Sequence, residues 1–140
     1  MIVFKGRGTP IEHSTGFAFS EAQGAVFELG DAALAIAGSW DPKPAGRARF
    51  RTVVASQGER FHESGRVTFE GLDGHIDIDM PNPGWVYALA DGSSHGTATW
   101  RVIGGEGRFR GISGLAPGIF TGEADGTFTD TQVYKLFGAG

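Results

Sequence analysis

The chain has 140 residues, 40% of them hydrophobic and 20% charged, which indicates one soluble globular domain rather than a disordered chain. Its net charge of −4 argues against a general attraction to nucleic acid or to anionic membranes, and the lack of cysteine excludes disulfides and cysteine-based zinc sites. The N-terminus lacks a signal-peptide pattern and no stretch reaches the roughly 18 apolar residues of a membrane helix, so we expect a cytoplasmic protein.

The first half of the chain alternates apolar and polar residues at the period of a β-strand, without clear helical periodicity. Residues 32–37 fit either a short helix or a strand, and the strand is favoured. Two prolines predict a loop over residues 41–46, and residues 57–64 are predicted to be a polar connection. Strands are predicted at residues 2–4, 17–19, 25–29 and 47–54.

The second half contains further alternating runs between strong turn signals. Asp73-Gly74 predicts a hairpin between residues 66–71 and 75–80, and the prolines at 81 and 83 end it because proline cannot donate to a ladder. More strands are predicted at residues 85–89, 97–103, 108–110, 118–121 and 127–137. Many short strands separated by turn signals indicate a single all-β domain over residues 1–140, an antiparallel sandwich or a barrel. The chain has only three lysines to protect edge strands, which favours the closed barrel.

The glycine-dense segment at residues 102–114, VIGGEGRFRGISG, resembles a signature of the allene oxide cyclase and dirigent barrel superfamily. That resemblance implies a lipocalin-like (calycin) antiparallel barrel of about eight strands, with an apolar cavity open at one end. Members cyclise reactive epoxides or steer the coupling of phenolic radicals without metals or organic cofactors, and they are often homo-oligomeric. No catalytic residue of the family falls on a matching position in this chain, so none is carried over.

The glycines themselves favour a structural role. Gly104, Gly105 and Gly107 would permit positive φ and bulges at a barrel corner, with Phe109 pointing inward and its two arginine neighbours outward. A phosphate-binding loop is disfavoured because no helix follows whose N-terminus could face the anion.

Two strands carry charged faces that could lie inside or outside the barrel. His75, Asp77 and Asp79 alternate with Ile76, Ile78 and Met80, while Arg47, Arg49 and Arg51 alternate with apolar residues. The outer position is favoured for both, with the arginines pairing with Asp77 and Asp79 if the strands are neighbours. Inside, the carboxylates could become general acids or bases, and the arginines could bind a carboxylate-bearing substrate.

The candidate site residues are therefore drawn from charged and aromatic positions on strands. The catalytic candidates are Asp77 and Tyr87 first, then Glu28, Asp79 and Arg101. The candidates for lining a ligand site are Trp85, Trp100, Trp40, Tyr134 and Phe50. The four histidines lack a two-histidine metal spacing, so no metal and no cofactor are expected.

The sequence leaves three functions open. The first is a cofactor-free cyclase or isomerase that acts on a small hydrophobic molecule, and the second is a non-catalytic carrier of such a molecule. The third is an interaction module whose barrel is filled by its own side chains. An inward carboxyl or tyrosine beside empty volume would favour the enzyme. The family resemblance also implies that the protein could form a homo-oligomer.

Overall fold

The structure is a computed structural model that describes the backbone of residues 2–14, 17–28 and 43–138, and the side chains of residues 7–8 and 47–138. This part of the chain consists of strands, turns and loops. No helix within it is long and apolar enough to cross a membrane. The strands are β1 (Ile2–Ser14), β2 (Phe17–Glu28), β3 (Lys43–Gln57), β4 (Arg60–Glu70), β5 (Gly74–Asp79), β6 (Gly84–Ala88), β7 (Ser94–Gly107), β8 (Ser113–Gly122) and β9 (Phe128–Phe137).

The strands form one closed antiparallel barrel, which confirms the predicted fold class. The order β3-β2-β1-β9-β8-β7-β5-β4 is closed by pairing between β4 and β3. The short strand β6 continues the line of β5, since both pair with β7 on one side and with β4 on the other. The segment at residues 80–83 thus interrupts one strand position rather than ending the sheet.

Alternation along the strands decides which side chains fill the interior. In β7, Ala98, Trp100 and Val102 are buried while the residues between them are exposed. In β5, Ile76 and Ile78 are buried and the charged residues lie between them. Arg47, Arg49 and Arg51 are exposed on the outer face of β3, with Ala48, Phe50 and Thr52 buried, so the favoured outer position holds for the arginines.

Two stretches predicted as loops are strands. β3 begins at Lys43, and Pro44 lies beside the register shift between Val26 and Phe27, a bulge at which a missing N–H is tolerated. The predicted polar connection at residues 57–64 is wrong as well, because β3 and β4 meet in a hairpin whose turn contains Gly58 at φ 60°.

The predicted strand at residues 108–110 is instead a turn. The amides of Phe109, Arg110 and Ile112 each donate to the carbonyl three residues earlier, at 3.2 Å, and the left-handed φ is found at Gly107 and Gly111. Phe109 is nevertheless buried as predicted, with its ring centroid 4.8 Å from that of Phe69. The turn in the glycine segment therefore places the Phe109 ring inside one end of the barrel.

The two ends of the barrel differ in how they are filled. Around Phe69 and Phe109 the interior is packed by buried apolar side chains, among them Val67, Ile76 and Val102. Toward the β3–β4 hairpin and the connection between β8 and β9 the packing gives way to a cavity. The cavity therefore lies at one end of the barrel, and tightly packed apolar side chains fill the other end.

Candidate functional site

The cavity has a volume of about 250 Å³ and is formed by six strands and one connection. A cavity of about 150 Å³ is enough to hold benzene, so this one has room for a single ring with a short substituent. Its described lining consists of Phe50, Thr52, Val54, Ser56, Phe61, Glu63, Val86, Ser94, Trp100, Phe120, Gly122, Glu123, Gly126, Phe128 and Asp130. The walls are therefore largely aromatic, and carboxyl groups are their charged component.

Glu63 points into the barrel from β4 and is held by two donors from neighbouring walls. The Thr52 hydroxyl donates to Oε1 at 2.5 Å, and the Trp100 indole N–H donates to Oε2 at 2.9 Å. Burial raises the pKa of Glu63, while these two hydrogen bonds act to lower it. Both carboxyl oxygens are thus occupied, which fixes the orientation of this side chain.

Asp130 lies on β9 and is only 8% exposed. Its Oδ2 accepts a hydrogen bond of 2.6 Å from the Gln132 amide, whereas its Oδ1 is buried with no hydrogen-bond partner among the described residues. Burial raises the pKa of Asp130 to about 7, and the nearby charge of Glu63 adds to the rise. A carboxyl with this pKa is present in both protonation states near neutral pH.

A directed hydrogen-bond chain along β9 orients Asp130. Residues 130, 132 and 134 face the same side because strand side chains alternate. The Tyr134 hydroxyl donates to Gln132 Oε1, and the Gln132 amide N–H in turn donates to Asp130 Oδ2. An amide N–H donates, so Oδ2 is the acceptor in this chain, and Oδ1 is the carboxyl oxygen without a described partner.

Tyr134 completes this chain from within the packed part of the barrel. It is fully buried, and burial together with the charges of Asp130 and Glu63 raises its pKa well above the ordinary value of a tyrosine. It therefore remains a neutral donor across the physiological range and holds Gln132 in one orientation.

A glycine makes room for the side chains around this network. Gly118 pairs with Gln132 across β8 and β9, and an added Cβ would lie 2.6 Å from the Trp100 ring and 3.0 Å from Gln132 Cγ. A real Cβ does not approach other atoms so closely. Because residue 118 has no side chain, the Trp100 indole can lie beside the Gln132 amide. The first of these groups binds Glu63 and the second binds Asp130.

The predicted catalytic residues Asp77, Asp79 and Arg101 lie on the outer face, away from the cavity. Arg66 binds Asp77 in a bidentate pair at 2.8 and 3.2 Å, and Arg101 binds Asp79 at 2.9 and 2.7 Å. These guanidinium groups hold the pKa of each carboxyl below its usual range. The condition for pairing with the β3 arginines is not met, because β4 and β7, and not β3, are the strands that flank β5.

Tyr87 and Trp85 also face outward, because Val86 between them lines the cavity. Their rings stack with centroids 6.4 Å apart, and the Arg60 guanidinium lies 4.7 Å from the Trp85 centroid. Neither aromatic side chain is among the residues that line the cavity.

The remaining candidates fall in different places. Trp100 and Phe50 line the cavity, and Tyr134 is buried at the inner end of the hydrogen-bond chain. Glu28 ends β2, where its backbone pairs with Ile2 and Lys43, and its side chain lies outside the described residues. Trp40 lies outside the described residues altogether, as does the segment at residues 32–37.

Four residues of the site were not predicted from the sequence, namely Glu63, Asp130, Thr52 and Gln132. For Asp130 a signal was available, since Phe128, Asp130, Gln132, Tyr134 and Leu136 alternate along one strand. Polar residues that share a face with Phe and Tyr are candidates for an interior site.

The described residues contain no cluster of three or more His, Cys, Asp or Glu side chains that could hold a metal ion. Comparisons with protein-family models, with curated proteins and with solved structures gave no match. The function is therefore argued from the cavity and its carboxyl groups.

Proposed function

We propose that this protein binds a small hydrophobic molecule in the barrel cavity and acts on it as a cofactor-independent cyclase or isomerase. The observation that carries the proposal is Asp130 Oδ1, a buried carboxyl oxygen without a described partner at the wall of an aromatic cavity. An inward carboxyl beside empty volume distinguishes a catalytic barrel from a carrier with apolar walls.

The proposed chemistry is proton transfer by Asp130. With a pKa of about 7, the carboxylate can take a proton from carbon and the acid can return it to another atom of the substrate. Such a transfer moves a double bond, or it completes a ring closure in a substrate folded by the cavity walls. Glu63 does not exchange protons in this scheme, since its two oxygens are held by Thr52 and Trp100.

The resemblance of residues 102–114 to the allene oxide cyclase and dirigent superfamily contributes only the type of reaction to this proposal. Cofactor-free reactions in a one-ended barrel cavity are what that resemblance implies. The closed antiparallel barrel and the position of the cavity support the comparison. The interaction module is less well supported, because side chains fill only one end of the interior.

The proposal can be tested with a probe reaction that needs only a base in an apolar pocket. In the conversion of 3-cyclohexenone, a single ring, to 2-cyclohexenone, a base removes a proton from C2 and the resulting acid returns a proton to C4, which moves the double bond into conjugation with the carbonyl. We expect the protein to accelerate this reaction, with a rate that rises as Asp130 ionises near pH 7. Asp130→Asn should lower kcat/KM by about 100-fold or more, which is the usual contribution of a general base.

Glu59→Gln provides the matched control for this experiment. Glu59 is exposed in the β3–β4 turn and is not part of the described cavity lining, so its neutralisation should leave the rate unchanged. Equal rates for the original protein and for Asp130→Asn would contradict the assignment of the base.

A further inference from the structure

We propose that the cavity selects a small hydrophobic amine, bound as its ammonium ion with the nitrogen at Asp130 Oδ1. The inference rests on the proposed small-molecule site and names the chemical class of its ligand. With Oδ2 held by Gln132, a nitrogen at Oδ1 occupies the oxygen assigned above to proton transfer, so a bound amine and a substrate deprotonated at carbon are alternative occupants of Oδ1. The evidence is the charge of the lining, the use of its hydrogen-bond donors and the aromatic character of its walls.

All the ionisable side chains in the described cavity lining are acids. Glu63 and Asp130 lie inside and Glu123 lies at the exposed mouth, and the described lining includes no lysine, arginine or histidine. A bound cation would offset the cost of burying these carboxylates, whereas a bound anion would add to it. The charge of the site therefore favours a cationic ligand.

The buried hydrogen-bond donors of the site are already used. Thr52 and the Trp100 indole donate to Glu63, and the Gln132 amide donates to Asp130 Oδ2. What remains deep in the cavity is an acceptor, Asp130 Oδ1, which is nine-tenths buried and has no described partner. An ammonium group has donors and no acceptor, so it complements this atom, whereas a carboxylate ligand would find no free buried donor among the described groups.

The walls suit the rest of such a ligand. Aromatic rings from five strands line the cavity, and two of them, Phe61 and Phe120, meet edge to face with centroids 5.6 Å apart. Aromatic faces attract a desolvated cation, and they also cover the apolar body of the ligand. The volume of about 250 Å³ limits that body to a single ring with a short chain.

A series of three probes of one shape tests the inference. Benzylammonium, benzyl alcohol and benzoate share a ring and differ in whether the polar group is cationic, neutral or anionic. Binding would be measured by ligand-observed NMR at about pH 8, where Asp130 is ionised. We expect benzylammonium to bind roughly tenfold or more tightly than benzyl alcohol, and benzoate not to bind, because a charge-assisted hydrogen bond is made only by the first.

Variants locate the selectivity within the site. Asp130→Asn should weaken benzylammonium roughly 10- to 100-fold and leave benzyl alcohol within about threefold. Glu63→Gln replaces the second interior carboxyl by an amide of the same size and should also weaken the cation selectively, so the test does not depend on one variant. Glu59→Gln makes the same chemical change on an exposed surface outside the described lining and should alter neither affinity.

The outcomes separate this inference from the proposed function. If benzyl alcohol binds as tightly as benzylammonium, or if benzoate binds best, the preference for amines is wrong and the small-molecule site survives. If none of the three probes binds, the small-molecule site itself is contradicted and the inference fails with it. Selective binding of benzylammonium that Asp130→Asn does not alter would overturn the placement of the nitrogen at Oδ1.

Discussion

At Asp130 a carboxyl group is held away from water, and the balance between its charged and neutral forms changes on folding. Its pKa rises from an ordinary value of 3.8 to about 7, mainly through burial and partly through the charge of Glu63. Gln132, and to a smaller extent the backbone of Thr131, lower the pKa, but less than burial raises it. The residue is therefore destabilising when charged, and pKa values raised in this way are found more often at functional sites than elsewhere.

This gives a stability prediction with a defined sign. Because the folded protein binds the Asp130 proton more tightly than the unfolded chain, the free energy of unfolding should fall as pH rises from about 4 to about 7. A tenfold change in proton affinity is worth about 1.4 kcal/mol, so the loss from this residue can reach about 4 kcal/mol.

Urea unfolding of the original protein and of Asp130→Asn at pH 4 and pH 8 would measure this effect. The variant lacks the titrating group, so its stability relative to the original protein should increase toward pH 8. Glu63 and Tyr134 are present in both proteins, so the effects of their own burial contribute to both measurements. A difference between the two proteins that does not change with pH would contradict the burial of the charged form.

At the scale of strands, the sequence predicted the faces of β5 and β7 and missed the interior acids. Ile76 and Ile78 alternate with charged residues, so local pattern alone places them inside. Around Glu63 the same rule fails, because a buried glutamate breaks the apolar pattern and makes residues 57–64 resemble a loop. Its burial depends on Thr52 and Trp100, which are 11 and 37 residues away and meet it only in the closed barrel.

Gly118 tests how closely the strands must pack around the hydrogen-bond network. In Gly118→Ala the new Cβ would meet the Trp100 ring at 2.6 Å, so that Trp100, Gln132 or the backbone has to move. We expect a loss of about 1–3 kcal/mol in the free energy of unfolding, the usual effect of overpacking a core.

Gly104→Ala is the matched control on the neighbouring strand. Nothing lies within 4 Å of a Cβ at residue 104, and its φ is not in the left-handed region, so the change should stay within about 0.5 kcal/mol. Equal losses in the two variants, measured by urea unfolding, would show that the contact at residue 118 is not the cause.

At the scale of the molecule, the two ends of the barrel interior are filled differently. The end around Phe69, Phe109 and Val67 is packed with apolar side chains and supplies hydrophobic burial, while the other end holds a cavity with the carboxyl groups of Glu63 and Asp130 on its walls. Strand alternation and turn signals made the barrel predictable, and the glycine segment pointed to its closure. The cavity was not predictable, because it depends on which side chains from distant strands meet and on what space they leave.

The central claim is that Asp130 is a buried, proton-exchanging group at the wall of a ligand cavity. Its most direct test is the titration of its side-chain carboxyl carbon by NMR, with the signal assigned by comparison with Asp130→Asn. We expect an inflection near pH 7, well above those of the exposed Asp91 and Asp125, whose pKa values are lowered by hydrogen bonds from Ser93 and Thr127. Titration of Asp130 together with these exposed carboxyls, near pH 4 or below, would contradict the account.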